Sequence, residues 1–456
     1  MAKVTIGKKY CTVNPLKMSP SIGAALAFMG VDNSMPLLHG SQGCTSFGLV
    51  LFVRHFREAI PMQTTAMSEV AIVLGGFDNL EQALVNIAAR TKPALIGICT
   101  TGISEIKGDD LSGFLKLIRA NHPELDRIAL VNVSTPDFTG GFQDGWASAV
   151  TRTVEELIDI PQYESRHSRR VNVLPGCHIT PGDIDELHDI FEAFSLDPTF
   201  LPDISGSLDG HIPAEFTPTT LGGISIEQIR KMGSACWTVA IGEQMRGAAI
   251  TLEHRTGVPY RMFDRLTGLA VNDELMGFLS GISGVPVPRK YRRQRSQLID
   301  AMLDGHFYFG GKRVAIAAEP DLLSTFSHWL HEMGCEIQVA VTTEESPVLE
   351  DIPAEEVLLG DLEDLELRSV GADLIVTHSH GRQAAKRLHI PLFRIGFPVF
   401  DRLGAGQQVT VGYRGTRDLI FDVGNIFMTS IHEPTPETWM PMHQHAHDLV
   451  TVQLPQ

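Results

Sequence analysis

Arg313-Val314-Ala315-Ile316-Ala317, then Pro320-Asp321, then Leu323, Phe326, Leu330 and Met333 at helical spacing, then Gly334, then Ile337-Gln338-Val339-Ala340-Val341: this stretch decides the fold. The two short apolar runs read as strands. Proline at the first helical position starts the helix between them, because its missing N–H is one the helix could not satisfy anyway. Gly334 stops it, since glycine adopts the C-terminal cap conformation without a steric penalty. Strand, helix and strand in this order form a βαβ unit, and such units build parallel sheets with helices on their faces.

The pattern recurs in both directions. Toward the N-terminus, Lys92-Pro93 precedes the apolar run 94–99, which reads as a buried strand. Asp109-Asp110 then caps a helix with Leu111, Phe114, Leu115 and Ile118 on one face, and 128–133 is the next strand. Ser19-Pro20 opens an earlier helix, with Ile22, Leu26 and Met29 on one face and Gly30 at its end. The polar stretch 161–170 reads as a linker. A second unit begins with the strand 171–174 and includes 237–240. Beyond the opening stretch, the acidic segment 344–366 is expected at the surface, and 374–376 and 392–395 are further strands. The expected fold is α/β, with three Rossmann-like, doubly wound parallel-sheet domains over 1–165, 171–310 and 311–456. No GxGxxG follows a strand, so a dinucleotide site has no support.

The charge balance narrows the partners. The chain carries 37 basic and 54 acidic residues in 456, a net charge of −17. That argues against nucleic acid, whose phosphates need concentrated Lys and Arg. The one dense basic run, Arg289-Lys290-Tyr291-Arg292-Arg293-Gln294-Arg295, reads as a solvated helix start. Residues 1–10 do not resemble a secretory signal, and no apolar run reaches membrane-spanning length. The six cysteines are scattered without a CxxC pair, which fits a reducing cytoplasm, and no mononuclear zinc site shows itself.

The least ordinary local sequence is His39-Gly40-Ser41-Gln42-Gly43-Cys44, followed by a helical stretch 47–56. A helix N-terminus favours the thiolate form of a cysteine, and thiolate is what iron–sulfur clusters bind. Glycine would let backbone approach a cluster. On the residues alone two other readings stand. Cys44 could be a buried structural cysteine beside a tight turn, or a nucleophile paired with His39 or His55. Lesser candidates are the Cys177-His178 pair, which closes a strand, His378-Ser379-His380, which follows one, and the alternating His443, His445 and His447. Their ordinary readings are polar turns and a solvated surface. Cys99 is expected in a strand core.

Several long stretches carry a resemblance. They are 35–44 with Arg54-His55-Phe56-Arg57-Glu58 behind it, Thr100-Thr101-Gly102-Ile103-Ser104-Glu105 followed by Gly108-Asp109-Asp110, Val13-Asn14-Pro15, and 394–402. Together they resemble the β-type subunits of the nitrogenase component 1 family over almost the whole chain. The resemblance implies three Rossmann-like domains. Catalytic members use three cysteines for an eight-iron cluster. Cys44 matches the middle one, while Ser19 and Gly102 stand at the other two places.

Keeping one thiolate of three resembles the family's cofactor-assembly scaffolds. These pair with a NifE-type subunit in an α2β2 heterotetramer. The resemblance then implies that Cys44 is the metal ligand, with Gly43 beside it, in a [4Fe–4S] cluster whose other thiolates come from the partner. It implies a cofactor precursor held mainly by the partner, a NifB-type precursor donor, the nitrogenase iron protein as a further partner, and no catalytic residue. The alternative is the β subunit of a catalytic nitrogenase-like reductase, either nitrogenase or the dark protochlorophyllide enzyme. The missing thiolates oppose the first and the run Arg54–Glu58 the second. A solitary α/β protein that binds a small molecule without metal is the remaining class.

Overall fold

The computed structural model describes residues 2–7, 9, 11–108, 110–160, 166–212 and 214–430. Strand β1 (Lys3–Ile6) leads into a first sheet of β2 (Ser34–His39), β3 (Gln63–Thr64), β4 (Leu95–Thr100) and β5 (Ala129–Val133), in the order β3-β2-β4-β5. The second sheet holds β6 (His167–Pro175), β7 (Asp197–Phe200), β8 (Ala235–Ile241) and β9 (Tyr260–Phe263), in the order β7-β6-β8-β9. The third holds β10 (Arg313–Ala317), β11 (Glu336–Thr342), β12 (Glu356–Leu359), β13 (Leu374–Thr377) and β14 (Leu392–Arg394), in the order β1-β12-β11-β10-β13-β14. Every pairing is parallel. Parallel neighbours need long crossovers, and helices supply them.

Strands β2, β4 and β13 are buried along their whole length. Both faces are covered by helices, so their sequences run apolar without alternation. The result is three Rossmann-like domains. Leaving aside β1 at the edge of the third sheet, the strand order in each sheet reverses once: between β2 and β4, between β6 and β8, and between β10 and β13. The crevice outside the carboxyl ends of those strands is where such folds bind ligands.

Helix α1 (Pro20–Met29) begins where Ser19-Pro20 places it, but all ten of its residues are buried. The expected single apolar face is incomplete, because α1 lies between the first sheet and helix α7 (Phe142–Leu157). Gly97 in β4 accommodates it: a Cβ there would meet the Phe28 ring at 2.2 Å. One core cluster draws residues from all three sheets, with two satellites under the first and third.

Two expectations are corrected. The acidic segment 344–366 is not simply surface, because Glu356–Leu359 forms β12, an inner strand between β11 and β1. Leu349, Val357, Leu358, Leu362 and Leu365 are buried there. The acids sit at the ends of the elements: Asp361 caps the next helix and holds Lys9 Nζ at 2.8 Å. The expected linker 161–170 shortens, since β6 already starts at His167, and 161–165 lie outside the described residues. The basic run opens the helix Arg289–Phe309, with Arg289, Lys290, Arg292 and Arg293 exposed and Tyr291 turned inward. Among the described residues, no helix is long and apolar enough to cross a membrane.

Candidate functional site

β2 ends at His39, and the chain turns through Gly40 into helix α2 (Gln42–Phe56). The helix starts earlier than the expected residue 47. Ser41 takes the extended N-cap conformation, at φ −71° and ψ 155°, so Gln42, Gly43 and Cys44 form the first turn. Cys44 therefore sits among the free N–H groups of a helix start. It is half-buried, with Sγ 3.4 Å from Ser41 Oγ.

The two glycines differ in role. A Cβ at Gly40 would strike Thr101 Oγ1 at 2.3 Å, so Gly40 lets the β2 turn pass against the β4 turn. A Cβ at Gly43 would find only Ser41 Oγ, at 3.9 Å. Gly43 therefore borders open space beside the thiol.

His39 is buried and structural. Its Nδ1 lies 3.2 Å from Thr65 Oγ1, and its carbonyl accepts from Thr101 Oγ1 and Ser104 Oγ, each at 3.0 Å. His55 stands eleven residues from Cys44 on the same helix, about 16 Å along the axis. Its Nδ1 accepts the Val399 N–H at 2.9 Å. Neither histidine is hydrogen-bonded to Cys44 among the described residues, so the site shows no Cys–His pair.

Ser19 and Gly102 converge on one carboxylate. Ser19 Oγ donates to Asp137 Oδ1, and the Gly102 N–H donates to Asp137 Oδ2 at 3.3 Å. Asp137 lies in the loop after β5, a residue the sequence did not single out. Its one signal is its place beyond the carboxyl end of a strand.

The surroundings are apolar and exposed. Phe47, Val50 and Val53 on α2, Val70 on helix α3 (Glu69–Leu74), Ile106 on helix α5 (Gly102–Lys107) and Phe138 after β5 all face solvent. Each segment leaves the carboxyl edge of the first sheet. A set of large apolar side chains around one edge marks a surface built for contact.

The other candidates resolve differently. Cys99 lies in the core of β4, where burial pushes its thiol up. Cys335 is buried likewise, and Cys236 donates to the Arg170 carbonyl at 3.1 Å. Asp110 caps its helix by accepting from the Gly113 N–H at 3.0 Å, while Asp109 is outside the described residues. Cys177 and His178 close β6 at the second crevice, on the wall of a cavity of about 500 Å³ shared with the third domain. Burial, then Glu319 and Asp321, push the Cys177 thiol well up, so it is a poor thiolate. Burial lowers His178 to about 4, leaving a neutral ring. His378 is buried with Nε2 3.3 Å from the Leu16 carbonyl. His443, His445 and His447 lie outside the described residues. Among the described residues, no group of three or more His, Cys, Asp or Glu side chains is placed to hold a metal ion.

Residues 19–428 match the family model for nitrogenase component 1 type oxidoreductases. The chain belongs to this family. It is 61% identical over 454 residues to the nitrogenase iron-molybdenum cofactor biosynthesis protein NifN of Bradyrhizobium diazoefficiens, covering 97% of each chain. The proteins of the same name from Mesorhizobium japonicum and Nostoc sp. are 52% and 49% identical, covering 97% and 94% of this chain and 97% and 96% of theirs. A solved chain of "Nitrogenase Cp1 at pH 6.5" superposes with a TM-score of 0.90 at 30% identity, over 95% of this chain and 97% of that one. A chain of "Nitrogenase Cp1 at pH 5", at 14% identity and a TM-score of 0.70, shares the fold alone.

Proposed function

We propose that this member of the family is the β-type half of a NifE/NifN-type scaffold, on which the nitrogenase iron–molybdenum cofactor is matured from an iron–sulfur precursor. Cys44 gives one thiolate to a [4Fe–4S] cluster shared with the partner. The observation that carries the site is a half-exposed thiol in the first turn of α2, on an edge lined with exposed apolar residues.

The donor set fits a shared cluster. Such a cluster takes four protein ligands. This edge offers one thiol, no metal-holding group of three exists among the described residues, and Gly43 leaves space beside the sulfur. The remaining ligands then belong to another chain, and the apolar residues around Cys44 suit its docking. The cluster would supply one-electron transfer. Cys44 would bind iron, the first-turn N–H groups would favour its anionic form, and Gly43 would keep the approach clear.

The precursor is cargo, held mainly by the NifE-type partner of an α2β2 heterotetramer. A NifB-type donor delivers it and the nitrogenase iron protein docks during maturation, all in the cytoplasm. The domain limits are 1–165, 171–310 and 311–456, with β1 lent to the third sheet. A catalytic nitrogenase-like reductase subunit is the second reading, favoured by the TM-score of 0.90. The hydrogen bonds from Ser19 and Gly102 to Asp137 speak against it, since they occupy the places where the resemblance calls for two further thiolates.

The test is anaerobic co-expression with the partner, followed by iron analysis and EPR of the reduced complex, for wild type and Cys44→Ala. The variant should assemble and lose or alter the interface-cluster signal. Unchanged iron content and spectrum would remove Cys44 as a ligand.

A further inference from the structure

Two guanidinium groups lie against the Phe400 ring. Arg54, near the end of α2, has its Cζ 4.1 Å from the ring centroid, and Arg382, beyond β13, has its Cζ at 4.8 Å. The two charges are thus at most about 9 Å apart, within the Debye length of roughly 10 Å at 0.1 M salt, so they repel. Among the described residues, neither has an ion pair or hydrogen bond. The neighbouring Arg394 does, holding Asp401 at 2.9 Å. Two arginines thus share one ring without a carboxylate partner, in a chain with 54 acidic residues and a net charge of −17.

Contact with the ring does not neutralise them. A cation over an aromatic face gains about 0.5–1 kcal/mol at an exposed site, and the N–H edges of the guanidinium remain free. His380 completes the group, with its ring centroid 5.3 Å from that of Phe400. Burial, then Arg382 and Arg54, lower its pKa, so the imidazole is neutral and keeps an N–H to donate.

The location fits a ligand. Residues 378–381 leave the carboxyl end of β13 and 395–400 follow β14, on the binding edge of the third sheet. The cavity of about 500 Å³ adjoins this segment and is lined by His55, Arg394 and Arg402, among others. Arg402 adds another guanidinium without an ion pair among the described residues.

We propose that Arg54, Arg382 and His380, arrayed around Phe400, bind a compact oxyanion carrying two or more negative groups, either a polycarboxylate or a diphosphate. Guanidinium forks match the paired oxygens of both. A singly charged anion would satisfy one arginine and leave the other. The site does not depend on the role of Cys44.

Isothermal titration calorimetry of the purified full chain tests this, with citrate and pyrophosphate as probes at constant ionic strength and acetate as the single-charge control. At least one probe should bind saturably at one site per chain, and acetate should not. Arg382→Gln and Arg54→Gln should each weaken binding tenfold or more. Arg382→Lys should fall between wild type and Arg382→Gln. Arg292→Gln, on a distant helix, should bind as wild type. Preference for citrate or for pyrophosphate identifies the anion class. Both arginines are exposed, so the variants should fold, and circular dichroism melts check this. The proposal is overturned if neither probe binds saturably below millimolar concentration, or if Arg382→Gln binds as wild type does.

Discussion

Gly145 passes so close to Pro20 that a Cβ on the glycine would lie 1.8 Å from the proline carbonyl oxygen. The contact is reciprocal: a Cβ on Gly23 would lie 1.9 Å from the carbonyl oxygen of Phe142. Helices α1 and α7 cross backbone to backbone, each offering a glycine to the first turn of the other. Gly145→Ala must push the helices apart, and overpacking of this kind costs about 1–3 kcal/mol or more. A clear drop in melting temperature is expected. Gly277→Ala is the control, in an open stretch of the helix Leu269–Ser283 with nothing within 4 Å. It should hold or gain stability, by up to about 1 kcal/mol. Equal melts for Gly145→Ala and wild type would show that the crossing yields without cost.

That crossing marks the boundary of what the sequence could tell. Ser19-Pro20 and Gly30 fixed where α1 starts and stops, because caps are local chemistry. The burial of the whole helix was not legible, since it depends on α7 arriving from more than a hundred residues away. β12 was hidden for a related reason: four residues, Glu356–Leu359, sit inside an acidic run whose average is polar. Cys99 was read as strand core, and β4 holds it there. Around Cys44 the turn and the helix that follows were legible, but not that the helix begins at Gln42 and takes the cysteine into its first turn. The carboxylate that ties Ser19 to Gly102 was not legible either, because spacing does not say which loops meet at a sheet edge.

Glu319 gives a pH dependence of one sign. It ends the turn after β10, and Thr343 Oγ1 donates to its Oε2 at 2.8 Å. Burial raises its pKa from 4.5 to about 8, and Asp144 and Glu344 add to the rise. Between those values the native state keeps a proton that the unfolded chain has released. Stability therefore falls as pH rises from about 4.5 through 8. Glu319→Gln mimics the protonated side chain and keeps an oxygen for Thr343. In thermal melts the variant should match wild type near pH 5 and exceed it at pH 8. Parallel curves would mean that Glu319 ionises without penalty.

His55 gives the opposite sign, and the argument runs through its tautomer. The Val399 N–H donates to Nδ1, so the neutral ring carries its proton on Nε2. Burial lowers the pKa from 6.5 to about 4, and a ring nitrogen engaged as an acceptor favours the neutral form too. Between those values the unfolded chain binds a proton and the native state does not, so stability falls as pH drops through this window. His55→Phe keeps the ring beside Phe56 and Phe397, whose centroids lie 4.5 and 5.0 Å away. It removes the acceptor and leaves the Val399 N–H unpaired, at a cost of about 1–3 kcal/mol. Phenylalanine cannot titrate, so its deficit should be largest at pH 7 and shrink toward pH 4.5. Urea unfolding at the two pH values measures both. A deficit that stays constant on acidification would mean that the native ring takes up its proton as readily as the unfolded one, and the neutral acceptor at His55 would have to be abandoned.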